Sequence, residues 1–322
     1  MSMDISEIDI FNWILKNHKK AKYIMAFSNS FDLSYDEFQT ITNFQLPNHF
    51  LINYNNATYA EQLKETFSSN YNCGKENIVL TCGGTESNHL IFQSLLSKSD
   101  EVIVEQPAYS PLWQTPEMIG AHIRFFKRPF EQDFSLNTSS FEDLLTKKTK
   151  LVVLTNLHNP SGVYAKKDEL KKLSDIAYDH DVYILIDEIF LDGCFHEYET
   201  SFGLPNIIVS SSVTKIYGLG GLRSGWIVAP KDIAMKCSKL KYHTNSLMSE
   251  LSLLMVLHGL TEGKEMLKNR FLSYAKTNMG IVDRWMKENN HLVDYVKPAG
   301  GIICFPKFPK VSTEKHHNII FK

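Results

Sequence analysis

The sequence lacks an excess of charge of either sign, a long apolar run and a basic leader. Its 322 residues carry 34 lysines and arginines against 36 aspartates and glutamates, a formal net charge of −2. No basic stripe runs along it, so we expect no nucleic-acid partner. No apolar run approaches the roughly 18 residues of a membrane span, and residues 1–11 carry acids where a secretory signal needs positive charge. These absences predict a cytoplasmic protein without a membrane partner.

Cysteine and arginine are scarce. The five cysteines are odd in number and lack metal-ligand spacing, which predicts reduced thiols and no metal site. His316 and His317 are adjacent, but two histidines without a third ligand in view favour a frayed tail over a metal site. The arginines are few enough for each to be considered as a contact for an anionic substrate. They are Arg124, Arg128, Arg223, Arg270 and Arg284.

Short apolar runs alternate with longer amphipathic ones between residues 77 and 229. The short runs are rich in β-forming residues and bounded by turn residues, which suits strands buried on both faces of a mainly parallel sheet. They cover residues 78–80, 102–104, 151–154, 183–186, 207–209 and 226–228. Residues 168–178 have apolar side chains at helical spacing. The pattern predicts an α/β fold with helices on both sides of the sheet.

Polar segments directly follow five of these runs. They are residues 81–85, 105–109, 156–162, 187–188 and 210–215. In an open α/β sheet the ligand crevice lies at the carboxyl ends of the strands, so these segments should converge on one site. The last segment combines hydroxyls with Lys215, and Arg223 follows eight residues later. Hydroxyls and a guanidinium suit a phosphate, and a lysine beside them suits an aldehyde.

Several short motifs occur in a fixed order along the chain. They are Asn159-Pro160-x-Gly162, then Asp187-Glu188, then Ser212-x-x-Lys215, then Gly218 and Arg223. Together they resemble the fold-type I enzymes that use pyridoxal 5′-phosphate (PLP), specifically the class I/II aminotransferases, over roughly residues 50–305. The resemblance implies a mainly parallel seven-stranded sheet flanked by helices, with a smaller, shortened α+β domain at the C-terminus.

The resemblance also implies a domain division and an assembly. Residues 1–45 would form an N-terminal arm and part of the small domain, residues 46–235 the large PLP-binding domain, and residues 236–322 the small C-terminal domain. Tyr54 aligns with the tyrosine that, in this family, reaches the phosphate of the neighbouring subunit. A homodimer with shared active sites is therefore implied.

The resemblance assigns four residues to the cofactor ring. Lys215 would form the internal aldimine with PLP and, once released by the incoming amine, move the substrate proton. Asp187 would pair with the pyridine nitrogen and keep it protonated. Asn159 would donate to the phenolic oxygen, and Tyr109 would stack on the ring. Lys215 and Asp187 are the expected catalytic residues, whereas His158 is left outside this set because a supporting role suits it equally well.

A phosphate cup would complete the cofactor site. Gly83, Gly84 and Thr85 stand where a strand gives way to a helix. Amides at a helix N-terminus, unobstructed by side chains at the glycines, suit a phosphate. Ser212 and Arg223 would supply the remaining contacts.

The sequence departs from the family pattern near its end. Residues 297–305 resemble the start of the family's small-domain sheet, and only 17 residues follow them. Relatives continue further and supply the arginine that binds the substrate α-carboxylate. Nothing after Arg284 can fill that role, so either the chain is truncated or it binds the carboxylate differently.

The sequence thus predicts a PLP-dependent aminotransferase acting on amino acids and 2-oxo acids. Two alternatives stay open. One is another PLP reaction on the same scaffold, as in a lyase, cyclase or decarboxylase, because these reactions diverge only after a shared carbanion. The other is a protein that binds PLP but is inactive because the carboxylate-binding arginine is absent. The substrate side chain cannot be predicted from the fold.

Overall fold

The computed structural model describes residues 7–20, 22, 27–52 and 57–310. The helices are α1 (Asp9–Asn17), α2 (Tyr35–Thr42), α3 (Thr58–Tyr71), α4 (Gly84–Leu95), α5 (Pro111–Ile119), α6 (Thr138–Glu142), α7 (Lys167–Asp179), α8 (Lys231–Lys241), α9 (Glu250–Thr261) and α10 (Lys264–Glu288). The strands are β1 (Ile78–Thr81), β2 (Glu101–Gln106), β3 (His122–Lys127), β4 (Thr149–Thr155), β5 (Tyr183–Asp187), β6 (Ile207–Ser212) and β7 (Gly225–Val228). Helices and strands alternate from β1 to β5, as the sequence pattern predicts.

Seven strands of the described residues form one sheet, in the spatial order β1-β7-β6-β5-β4-β2-β3. The pairs β2–β3, β2–β4, β4–β5 and β5–β6 are parallel. Strand β7 runs antiparallel to both of its neighbours, β6 and β1. This mainly parallel seven-stranded sheet confirms the predicted fold class.

The reversed direction of β7 matters for the position of one predicted site residue. Because β7 opposes its neighbours, its amino end lies at the edge where the other strands end. Arg223 lies two residues before β7, and Lys215 lies three residues after β6. The two side chains therefore start from the same edge of the sheet.

Both faces of the sheet are buried. Ile184 and Ile186 of β5 belong to one apolar cluster, and Leu185 between them belongs to another. The first cluster includes residues of α3, α7 and α9, and the second includes residues of α4, α5 and α8. Side chains that alternate between two buried layers must all be apolar, which explains the continuous apolar runs in the sequence.

Strand β3 is absent from the six apolar runs that the sequence suggests. It lies at the edge of the sheet and pairs with β2. Within its sequence, His-Ile-Arg-Phe-Phe-Lys, only Phe126 is fully buried. An edge strand tolerates charged and half-exposed side chains, so it lacks the continuous apolar signal of a central strand.

The chain after β7 is mainly helical. Beyond α10 it makes single antiparallel bridges, between Asp294 and Lys307 and between Gly300 and Cys194. The second bridge brings residues 299–301 against the segment that follows β5. None of the described helices is both long and apolar enough to cross a membrane.

Candidate active site

Lys215 lies in the loop between β6 and β7. Its side chain is partly buried, and Nζ donates a hydrogen bond to Ser28 Oγ at 2.9 Å. Burial lowers the pKa of this amine, the charge of Asp187 opposes the shift, and the charge of Arg223 adds to it. A larger fraction of the amine is therefore neutral and nucleophilic than in an exposed lysine.

Asp187 ends β5 with a buried carboxylate. Oδ2 accepts a hydrogen bond from Asn88 Nδ2 at 2.9 Å, and Oδ1 accepts one from the backbone N–H of Ile189 at 3.1 Å. Asn88 is held in turn by Ser210, whose hydroxyl donates to Asn88 Oδ1 at 2.7 Å. Burial raises the pKa of Asp187 to about 6, although both hydrogen bonds oppose the rise. A cation placed beside this carboxylate would favour its ionised form.

Tyr109 lies in the segment that follows β2. Burial raises the pKa of its phenol to about 12, and the charge of Asp187 adds to the rise. Its ring meets the ring of Phe11 in α1 edge to face, with centroids 6.3 Å apart. Helix α1 is anchored nearby, because the backbone N–H of Asp9 donates to Gln114 Oε1 at 3.1 Å. The N-terminal helix thus lies beside the aromatic residue assigned to the cofactor ring.

Asn159 lies in the turn that follows β4. Its backbone N–H donates to Thr155 Oγ1 at 2.8 Å. Gly162 closes the turn with φ of +72°, and a Cβ added there would lie 2.7 Å from Pro298 Cβ. Only glycine fits this turn without strain.

The predicted phosphate cup is closely packed around two glycines. Gly83 has φ of +95°, and a Cβ added to it would lie 2.7 Å from Arg223 Nη2. The guanidinium also donates to the backbone oxygens of Gly220 at 3.3 Å and Cys82 at 3.4 Å. Gly225 allows β7 to approach, because its added Cβ would lie 2.7 Å from the carbonyl carbon of Gly83. A larger residue at either glycine would push the arginine or the strand away.

The remaining predicted cup residues lie at the same edge of the sheet. Gly84 and Thr85 are the first two residues of α4, and Thr85 is exposed. Ser212 pairs with Gly225 across the sheet, and its hydroxyl donates to Thr214 Oγ1 at 2.8 Å. The structure therefore brings a helix N-terminus, a hydroxyl and the Arg223 guanidinium together, which is the donor set that an anion needs.

Three residues at this site were missed by the sequence reasoning. Asn88 carries a usable signal, since it is a polar residue on the buried side of α4. Ser28 and Phe11 carry none, because each lies in the N-terminal arm, far along the chain from the residue it contacts. Such long-range contacts do not leave a local sequence pattern.

Few of the arginines are available to bind a substrate carboxylate. Three are paired with glutamates, namely Arg124 with Glu101, Arg128 with Glu105 and Arg270 with Glu37. Arg284 is exposed on α10, and Arg223 lies against Gly83 in the predicted phosphate cup. The carboxylate contact that the resemblance implies is thus not evident among the described arginines.

Two predictions fall on residues outside the described ranges. Tyr54, assigned to a neighbouring subunit's phosphate, is one of these residues, and so are His316 and His317. Within the described ranges, no group of three or more histidine, cysteine, aspartate or glutamate side chains is placed to hold a metal ion.

The sequence matches the family described as aminotransferase class I and II over residues 37–318. The chain belongs to this family. The membership agrees with the fold-type I sheet and with the resemblance seen in the motifs.

The class I/II relatives include enzymes of more than one kind. The chain is 27% identical over 253 residues to capreomycidine synthase of Streptomyces vinaceus, covering 77% of this chain and 64% of the relative. It is 29% identical over 252 residues to a probable N-acetyl-LL-diaminopimelate aminotransferase of Bacillus subtilis, covering 76% of this chain and 62% of the relative. The chain thus matches less than two thirds of the length of these relatives.

Solved structures of the same fold cover nearly the whole chain. A PLP-dependent aminotransferase from Streptococcus suis superposes with a TM-score of 0.85 at 23% identity, covering 98% of this chain and 86% of that one. The PLP-dependent cyclase OrfR superposes with a TM-score of 0.85 at 20% identity, covering 99% and 86%. At these identities the likeness establishes the fold.

PLP is the cofactor of the class I/II family, and the site residues fit it. The buried carboxylate of Asp187 accepts hydrogen bonds from neutral groups and suits a protonated ring nitrogen. The Arg223 guanidinium lies directly against Gly83, where an added Cβ would be 2.7 Å from Nη2, and a cation beside the start of α4 suits a phosphate. Lys215 supplies the amine that an aldehyde requires.

Proposed function

We propose that this protein is a PLP-dependent aminotransferase that exchanges an amino group between an amino acid and a 2-oxo acid. The observation that carries the proposal is the convergence of three features at one sheet edge. A partly buried lysine amine of lowered pKa interacts electrostatically with the buried Asp187 carboxylate, whose pKa is raised, and the expected anion cup of Gly83 and Arg223 lies at the same edge. A structural lysine has no need of such neighbours. Perturbed pairs of this kind mark functional sites.

Each residue has a role in the proposal. Lys215 Nζ would hold the cofactor and, once released, would accept the proton from the substrate Cα and deliver it to C4′ of the cofactor, which the substrate nitrogen separates from Cα. Asp187 holds the ring nitrogen in its protonated form. Tyr109 and Asn159 fix the ring in position. When bound, the cofactor accepts the electron pair left on the substrate carbon.

The phosphate contacts complete the proposed site. The amides of Gly83, Gly84 and Thr85 would share the phosphate with the Ser212 hydroxyl and the Arg223 guanidinium. Converging amides and a guanidinium bind an anion with little rearrangement, because the α4 N-terminus is already formed. We therefore expect the proposed cofactor end of the site to rearrange little on binding.

The proposal extends to the assembly and the domains. We propose a cytoplasmic homodimer in which Tyr54 of one subunit reaches the phosphate of the other. We also retain the division into an arm at residues 1–45, a large domain at 46–235 and a small domain at 236–322. Size measurement by light scattering with and without PLP would test the dimer.

A cyclase or another PLP-dependent lyase or decarboxylase is the second candidate. It is favoured by one specific observation, the similarity of this chain to capreomycidine synthase and to the cyclase OrfR. Such reactions use the same cofactor end and differ in what surrounds the substrate. A third candidate is a PLP-binding protein that lacks activity because no arginine holds the substrate carboxylate.

Reconstitution with PLP followed by an amino-acid panel separates these candidates. The wild type should gain a visible absorbance band on reconstitution, and Lys215→Ala should lack it. Lys268→Ala is the matched control, because Lys268 donates to Tyr198 OH instead of facing Asp187. Formation of pyridoxamine phosphate and a 2-oxo acid would support transamination.

Other outcomes of the panel would contradict transamination. Release of ammonia with a 2-oxo acid would support elimination, carbon dioxide would support decarboxylation, and a ring product would support a cyclase. A wild type that binds PLP but reacts with no amino acid would support the inactive form. A wild type without the absorbance band would refute PLP chemistry altogether.

A further inference from the structure

A fully buried ion pair lies behind the candidate site. Arg128 Nη1 contacts Glu105 Oε2 at 2.6 Å, with side-chain exposures of 1% and 0%. Arg128 is held further by a hydrogen bond from Nε to the backbone oxygen of Phe134 at 2.7 Å. Burying two charges costs desolvation that a well-made pair only partly offsets, so stability alone is a poor reason to keep it. The other groups that the pair contacts therefore deserve a separate explanation.

The second carboxylate oxygen of Glu105 holds Thr155 at the end of β4. Glu105 Oε1 accepts from the Thr155 backbone N–H at 2.6 Å and from its hydroxyl at 2.5 Å. The hydroxyl has one proton, and it donates that proton in its hydrogen bond to the carboxylate. The lone pairs of Thr155 Oγ1 are therefore turned to the backbone N–H of Asn159, which donates to it at 2.8 Å.

His158 lies against the same pair, with Nε2 3.7 Å from Glu105 Oε2, and it contacts the segment that carries Tyr109. Its Nε2–H donates to the backbone oxygen of Pro107 at 2.9 Å, and its Nδ1 accepts from the Ser161 hydroxyl at 2.6 Å. Burial holds the pKa of His158 well below its usual value, and the charge of Arg128 lowers it further. The ring is therefore neutral with a single tautomer, and it holds Pro107 in place two residues before Tyr109.

We propose that the Glu105–Arg128 pair, acting through Thr155 and His158, is a positioning device that aligns Asn159 and Tyr109 with the cofactor ring. Neither charged residue touches the cofactor in this assignment. The inference rests on the proposed function, since it concerns the same site. It adds Glu105, Arg128 and Thr155 to the residues on which PLP binding depends.

Two substitutions at one position test the device. Thr155→Val keeps the shape and removes the hydroxyl that bridges Glu105 and Asn159, whereas Thr155→Ser keeps the hydroxyl. We expect Thr155→Val to raise the dissociation constant for PLP about tenfold, and Thr155→Ser to stay within about twofold of the wild type. PLP binding is followed by quenching of protein fluorescence. The induced circular dichroism of the bound cofactor, which reports on the ring pose, should change in Thr155→Val only.

The melting temperature of each apoprotein separates positioning from stability. A Thr155→Val protein that melts earlier but binds PLP with wild-type affinity and wild-type dichroism would overturn the proposal. If Thr155→Val does not fold, Ser161→Ala tests the network through His158. That variant should also alter the dichroism and weaken binding by roughly two- to fivefold, and a wild-type result would overturn the proposal.

The same titration of the wild type separates a failure of the proposed function from a failure of the positioning role. If the wild type does not bind PLP, the proposed function fails and this inference fails with it. If the wild type binds PLP and requires Lys215, while Thr155→Val behaves like the wild type, only the positioning role is refuted.

Discussion

Replacing Asn88 by alanine should raise the pKa of Asp187 and weaken PLP binding near neutral pH. Asn88 Nδ2 donates to the carboxylate at 2.9 Å, and this hydrogen bond favours the ionised form. A hydrogen bond to a charged group contributes about 1.5–3 kcal/mol, which corresponds to a change of roughly one to two in pKa. From a value of about 6 in the wild type, the carboxyl group of the variant should titrate near or above neutrality.

The affinity for PLP as a function of pH measures this change. An ionised Asp187 attracts a protonated ring nitrogen, so the affinity should fall as the pH drops through the pKa of Asp187. For the wild type this fall should be centred near pH 6, and for Asn88→Ala about one or more pH units higher. At pH 7 the variant should bind roughly two- to tenfold more weakly. Fluorescence titrations between pH 5 and pH 9 would give both curves.

Ser210→Ala is the matched control for this experiment. It keeps the bond between Asn88 and Asp187 and removes the one that orients Asn88, which spans 2.7 Å. Its curve should move in the same direction by a smaller amount. An Asn88→Ala curve with the wild-type midpoint would refute the reasoning, because the carboxylate would then not depend on Asn88.

The stability of the apoprotein gives an independent readout of the same group. Burial raises the pKa of Asp187 from 3.8 to about 6. Below pH 3.8 the carboxyl group is protonated in both the folded and the unfolded protein, and the folded protein has its full stability. As the pH rises towards and through 6, the unfolded protein loses this proton more readily than the folded protein, and the free energy of unfolding decreases. The ionised form therefore costs about 3 kcal/mol of unfolding free energy at pH 7. Asn88→Ala should increase that cost at pH 7 and lie nearer to the wild type at pH 4.

Three further changes have defined outcomes. Gly83→Ala and Gly203→Ala both replace a glycine at a φ near +95°, so each variant should lose about 1–2 kcal/mol of stability. Only Gly83→Ala places a Cβ against Arg223, so only this variant should weaken PLP binding, by tenfold or more. Equal PLP affinities of the two variants would contradict the proposed phosphate cup. Burial raises the pKa of Glu188 from 4.5 to about 7. Because of this group, the free energy of unfolding of the wild type should fall by about 3 kcal/mol between pH 4.5 and pH 8. Denaturant titrations of Glu188→Gln should not show this fall. Phe11→Ala removes the ring that meets Tyr109 and should weaken PLP binding by roughly two- to tenfold, whereas Leu15→Ala on the same helix, 71% exposed, should not.

The sheet could be predicted because its central strands are buried on both faces. Residues 184–186 show this, since three consecutive apolar side chains serve two separate clusters. Strand β3 could not be predicted by the same rule, because an edge strand needs only partial burial. Physical context, and not strand propensity, separates the two cases.

Some residues of the candidate site could likewise be predicted from the sequence, and others could not. Lys215, Asp187 and Gly83 each follow or end a strand, so parallel topology alone predicts that they meet. Asn88 and Ser28 are as close to the site, but their partners lie 99 and 187 positions away in the sequence. The polarity of Asn88 on the buried side of α4 marks it as a candidate, but nothing local in the chain identifies its partner, and nothing local marks Ser28.

The position of Arg270 explains why the substrate end is harder to predict than the cofactor end. Its Nε donates to Glu37 Oε1 at 2.6 Å, and its Nη2 donates to the backbone oxygen of Asp32 at 2.7 Å. This arginine of α10 therefore holds the N-terminal arm in place. The arm in turn lies on the lysine loop, since a Cβ added to Gly218 would be 3.2 Å from Ser30 Oγ. The lysine loop is thus covered by segments that share no motif with the predicted cofactor site, so the motifs that predict PLP do not determine which amino acid is bound.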